Sequence, residues 1–167
     1  MSDSLICAIC GTQHDGLVTD RAFTLPDVVW DIPESARSEK AIFNSDLCEY
    51  GERCFMRCIL FVPFSDRPGE FGWGVSAEVE WPTFKRYLEL YEVDGSSEPV
   101  HEGVLANALS AYPDSLGANV EIRFGVPSER PRLHLKDDDP SPLADDQRRG
   151  ITDARYHEIL TLITAEG

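Results

Sequence analysis

Phe55-Met56-Arg57-Cys58-Ile59-Leu60-Phe61-Val62 and Phe71-Gly72-Trp73-Gly74-Val75-Ser76-Ala77-Glu78-Val79-Glu80-Trp81 are the two runs on which the fold class of this chain turns. In the second, every odd position is apolar and the positions between are small or polar, the period of two that a strand with one buried face requires. The first is apolar on both faces apart from Arg57, which suits a central strand covered on both sides and demands a buried carboxylate for the guanidinium. Between them, Pro63 to Glu70 carries two prolines and a Pro-Gly pair, enough to reverse the chain, so residues 55–81 read as a central antiparallel hairpin. After Trp81 the period becomes helical. Pro82 suits a first turn, and Phe84, Tyr87, Leu88 and Tyr91 share one stripe, expected to cover Trp73, Val75 and Trp81.

Towards the C-terminus, Asp94-Gly95-Ser96-Ser97 marks a loop, and residues 103–109 allow a short helix with Val104, Leu105 and Ala108 inward. A second ribbon follows, in which Val120, Ile122 and Phe124 alternate with polar positions, then Leu133 and Leu135 do the same. Asp137-Asp138-Asp139-Pro140 reads as a solvated loop. Ser141 is a good N-cap with Pro142 at the first helical position and Gly150 as the stop. A last helix over 152–165 buries Tyr156, Ile159, Leu160 and Ile163. Towards the N-terminus, residues 25–43 hold two short helices, the second opening at Pro33-Glu34-Ser35, with Trp30 as a core anchor. Four strands in two hairpins, with helices packed on them, predict one α+β domain over residues 1–167 built on an antiparallel sheet.

The chain has 167 residues, 42% hydrophobic and 10% aromatic, enough for one sizeable core. Its start lacks a basic region before an apolar run, and no stretch approaches the roughly 18 apolar residues of a membrane span, so a cytoplasmic location is expected. Thirty acidic against fifteen basic residues give a net charge of −15, which repels nucleic acid and anionic membranes and favours a partner with a basic surface.

Five cysteines without an export signal point to reduced thiols or metal ligands rather than a disulfide framework. Cys7-Ala8-Ile9-Cys10-Gly11, within a knuckle-like segment at 5–16, places two thiolates where one tetrahedral ion can take both. Cys48, in the loop before the central strand, is the best third ligand and His14 the natural fourth. Zinc suits such a thiolate-rich, redox-free shell in a structural role. His101 and His134 are fallback ligands, and Cys54 and Cys58 read as small packing residues. An internal polar network of Asp46, Arg57, Gln147 and Arg148 at the sheet edge would account for those residues without any ligand.

The landmarks Cys7-Ala8-Ile9-Cys10-Gly11 with His14, Ser45-Asp46-Leu47-Cys48, Phe55-Met56-Arg57, Phe71-Gly72-Trp73-Gly74-Val75, Tyr112-Pro113-Asp114-Ser115-Leu116, Arg130-Pro131 and Pro142 to Thr152 span nearly the whole chain in order. On them the chain resembles the bacterial family called domain of unknown function 2199. The resemblance implies no activity. In two places the chain departs from that family's pattern, with Glu121 and Ser141 standing where the family usually has histidine.

Charge and cysteines together favour a non-catalytic protein-binding module, docking a basic partner as an inhibitor would and pinned by a structural zinc. The alternative is a metal- or cysteine-dependent enzyme, using Cys48 or a metal-bound water with Asp46, Arg57 or His14 nearby. No nucleophile and base stand at a recognisable spacing, so no catalytic residue is assigned.

Overall fold

The computed structural model describes residues 4–6, 13–15, 20–127 and 129–166. A small antiparallel pair, β1 (Ser4–Ile6) and β2 (Gln13–Asp15), comes first. Then follow β3 (Asp20–Ala22), α1 (Asp27–Trp30), α2 (Glu34–Lys40), β4 (Ala41–Phe43) and β5 (Leu47–Tyr50). The two long strands β6 (Arg53–Pro63) and β7 (Glu70–Val79) pair antiparallel from Cys54 opposite Val79 to Pro63 opposite Glu70. Beyond them lie α3 (Trp81–Glu89), β8 (His101–Leu105), β9 (Asn119–Arg123), β10 (Arg132–Leu135), α4 (Pro142–Arg149) and α5 (Asp153–Glu166).

The antiparallel two-hairpin sheet expected from the sequence is not what forms. Strands β6, β7, β8, β9 and β10 run in that order and close on themselves, because β10 pairs with β6 as well as with β9. The result is a closed, mixed five-stranded barrel. The cause is a single element: residues 101–105, where the sequence suggested the start of a helix, are strand β8 between β7 and β9. With four up-and-down strands the first and last run in opposite directions. A fifth makes them run the same way, and the seam between β6 and β10 is parallel, with Arg132 opposite Ile59.

Gly103 explains both the strand and why it was hard to read. A Cβ there would stand 2.7 Å from the Glu78 carbonyl oxygen, so only glycine lets β8 approach β7 so closely, and glycine weakens the alternation that marks a strand.

Closure puts the apolar face of β7 inside. Trp73, Val75 and Ala77 oppose Leu60, Cys58 and Met56, and all six are fully buried with Val120, Ile122 and Leu133. Other barrel strands therefore enclose Trp73, not helix α3 as expected. Within α3 only Phe84 is buried, and Trp81, 54% exposed, lies outside. At one end of the core Leu143, Ile151, Tyr156 and Ile159 join from α4, α5 and the turn between them. There Ser141 caps α4 by accepting from the Ala144 amide at 3.2 Å, and Gly150 ends it at φ 85°.

The first part of β6 pairs with β5, and the first part of β7 with β3 in parallel. These extensions form a second core on the outer face of β6, where Phe55 packs with Leu25, Val29, Ala41, Cys48 and Ala106. Among the described residues no helix is long and apolar enough to cross a membrane.

Candidate functional site

Cys7 and Cys10, the expected knuckle, lie outside the described residues, and of His14 only the backbone is described, paired with Leu5. Cys48 sits in the second core, where burial and then Glu49 push its thiol up to about 11, opposite to the shift a free nucleophile needs. Cys54 and Cys58 are buried packing residues. Among the described residues no group of three or more His, Cys, Asp or Glu is placed to hold a metal.

Of the residues expected in one polar network, Asp46 and Arg57 share a corner, while Gln147 and Arg148 do not. The Gln147 amide stands over the barrel seam, donating to the carbonyls of Phe61 (3.1 Å) and Leu133 (3.0 Å) and accepting from the Leu135 amide (2.8 Å). Arg148 holds the acidic loop, donating to the carbonyls of Lys136, Asp137 and Asp139. His101 bridges Glu98 (3.0 Å) and Thr83 (3.2 Å) and stacks flat on Phe124. His134 is half-buried with Nδ1 unpartnered, and burial followed by Arg123 and Arg132 lowers its pKa.

The Asp46 corner opens into a cleft of about 490 Å³. Its floor is the outer face of the hairpin, Ile59 and Phe61 on β6 beside Gly74 on β7, where a Cβ would stand 3.1 Å from that of Ala22 on β3. One wall is the end of α3 and the segment after it, with Tyr87, Leu90, Tyr91 and Val93; the other is the connection from β9 to β10, with Phe124, Val126 and Pro127. At the rim stand Asp46, Glu129, Arg130 and Arg132. This mixture of apolar wall and a few converging polar groups is what small-molecule sites present.

Asp46 is held in the turn before β5, where the Asn44 side chain accepts from the Asp46 and Leu47 amides, both at 2.8 Å. Its carboxylate takes the Tyr91 hydroxyl at 2.5 Å and lies 3.5 Å from Arg130 Nε. Arg57, 7% exposed, finds carbonyls instead of the expected carboxylate: Nη1 donates to Thr24 at 3.3 Å and Ser45 at 3.4 Å. Arg130 Nη2 reaches the same Ser45 carbonyl at 3.3 Å. Two guanidiniums thus meet at one oxygen. Burial and then repulsion from Arg130 lower the Arg57 pKa, and Asp46 only partly offsets this. Tyr87 is raised by burial and then by Asp46, and Tyr91 by its bond to Asp46, so both stay protonated hydroxyls. The corner holds two guanidiniums, one carboxylate and two protonated phenols, and no activated nucleophile. Arg130 was legible as a landmark of the resemblance and Arg132 as a polar position of the second ribbon, but nothing in the alternation says which helix end will face them.

A second surface lies at the end of the sheet. Strand β4 pairs only with β5 among the described strands, which leaves its outer edge open. Ile42 is 75% exposed and sits opposite Glu49, and Phe43 is 41% exposed. On the segment leading into β4, Trp30 is 55% exposed rather than a core anchor, with the Arg37 guanidinium 4.5 Å above its ring. Asp31, Glu34, Glu39 and Glu52, in the segments that flank β4 and β5 in the chain, are exposed, as is Lys40 directly before β4.

Residues 6–151 match domain of unknown function 2199, described as an uncharacterized protein conserved in bacteria, and the chain belongs to that family. No curated protein and no solved structure matches it.

Proposed function

We propose that this member of the bacterial family is a non-catalytic, cytoplasmic protein-binding module that docks an extended basic segment of a partner along β4. The observation that carries the reading is the open edge of β4, with Ile42 and Phe43 exposed and carboxylates around them. An unpaired edge supplies a row of backbone donors and acceptors for an added strand, alternate apolar side chains supply register, and the acidic surround selects for lysine and arginine. The net charge of −15 steers the same class of partner over longer range. The cysteine-dependent alternative has less support, because all three described cysteines are buried.

A structural zinc on Cys7, Cys10, His14 and Cys48 belongs to this proposal, tying the N-terminal segment to the second core through Cys48. Metal binding would have to draw Cys48 out of its protonated state, and the protons released report it. Elemental analysis of protein purified without chelator is expected to find one equivalent of zinc, lost on Cys10→Ser; metal-free protein with titratable thiols at these positions contradicts it.

Tagged protein used as bait in the native lysate tests the docking. The wild type is expected to retain a stoichiometric protein of high isoelectric point, released by raised salt. Ile42→Asp should lose it without a change in melting temperature, since that side chain is 75% exposed. Equal retention by Ile42→Asp, or no stoichiometric partner, contradicts the proposal.

A further inference from the structure

The cleft beside Asp46 is a different surface from the β4 edge, and in a molecule of net charge −15 it sets two arginines, Arg130 and Arg132, against two carboxylates, Asp46 and Glu129. We propose that it binds a small carboxylate with an apolar body, the head on Arg130 and Arg132 and the body against Ile59, Phe61 and Leu90.

Charge in the corner is not balanced pair by pair. Arg57 and Arg130 face a single carboxylate, Asp46, and that carboxylate is already engaged by Tyr91 and Arg130. Both arginines fall back on the Ser45 carbonyl at hydrogen-bond distances near the limit, and Arg57 Nε, buried, has no partner. A buried guanidinium without a full complement of acceptors is costly; Arg57 stands behind the cleft, and Arg130, which lines it and reaches Asp46 only at 3.5 Å, is the one with donors to offer a second anion.

Arg132 adds a second guanidinium to the cleft. Two residues beyond Arg130 at the start of an extended strand, it lines the same cleft. Its guanidinium lies 4.7 Å over the Phe61 ring, which fixes its plane and leaves its edge for an acceptor. Planar guanidiniums suit a planar carboxylate, which they take in paired hydrogen bonds.

The rest of the lining sets the number of charges and the body. Asp46 and Glu129 also line the cleft, and the chain carries −15 overall, so a polyanion is repelled and a single charge is tolerated. The remaining lining is mostly apolar, and about 490 Å³ falls within the range of small-molecule sites.

Amide NMR titration of the full chain with octanoate, against 1-octanol as the uncharged equivalent, tests this. Octanoate is expected to give saturable shifts at the Gly74, Gly95 and Gly125 amides, which line the cleft. Octanol should need about tenfold or more higher concentration for the same shifts, a difference of about 1.4 kcal/mol. The double variant Arg130→Gln, Arg132→Gln should erase that preference with its amide spectrum otherwise preserved. Should that variant unfold, Val93→Trp, which fills the cleft from an exposed position, is expected to abolish the shifts instead. No saturable shift at these glycines, or equal response to octanoate and octanol, overturns the proposal. So does a preference that survives both variants.

Discussion

Arg57 shows what can and cannot be read at the scale of a residue. Its burial follows from the apolar run around it, because a strand covered on both faces has nowhere else to put a side chain. Its partners do not follow, since they come from Thr24 and Ser45 in loops whose positions no periodicity encodes. With carbonyl partners at long range and Arg130 repelling it, Arg57 contributes less than a paired buried ion. We expect Arg57→Met, which keeps the packed stem, to cost about 1 kcal/mol in urea unfolding. A loss above about 3 kcal/mol would reveal a buried carboxylate left stranded. Trp73 and Trp81 make the same point: the alternation assigns both to one face, yet only Trp73 lies within the closed ring.

At the scale of the element, the hairpin from β6 to β7, the capped helix α4 and the stripe of α5 were legible because each follows one period and one set of end signals. Strand β8 was not, since Gly103 breaks the alternation and its approach to Glu78 is visible only once β7 is in place. That one element turns an open sheet into a barrel with a parallel seam, which has a single register pair, Arg132 with Ile59, and the Gln147 amide beyond it. Gln147→Leu should therefore cost about 2–3 kcal/mol, by stranding two carbonyls and an amide, and speed exchange of the Leu135 amide. Unchanged exchange would mean that the seam holds without it. Glu98 ties α3 to β8 through Arg86 and then His101, which hold its carboxyl down at about 2 against an ordinary 4.5. A depressed folded pKa gives stability that is present above the unfolded value and lost as pH falls towards the folded one. Melting temperature is expected to fall between pH 4.5 and about 2, and Glu98→Gln to flatten that limb; an identical acid limb in the variant would contradict it.

At the scale of the whole molecule, charge and shape divide the surface. The acidic excess was plain from composition, but that an open strand edge with exposed apolar side chains lies among some of those carboxylates depends on β4 being the last strand of its sheet, a fact of topology. The meeting of Arg57 with Arg130 at the Ser45 carbonyl was hidden, because the two lie far apart in sequence and come together only where the segment leading into β10 reaches β6. An edge that recognises a partner must touch it at Ile42. The most direct measurement places a photo-crosslinking p-benzoylphenylalanine at position 42 in the native cell, with the exposed Leu116 position as the control. The account predicts one dominant adduct to a basic protein at position 42 and none at position 116. No adduct at 42 above the level at 116 would contradict it.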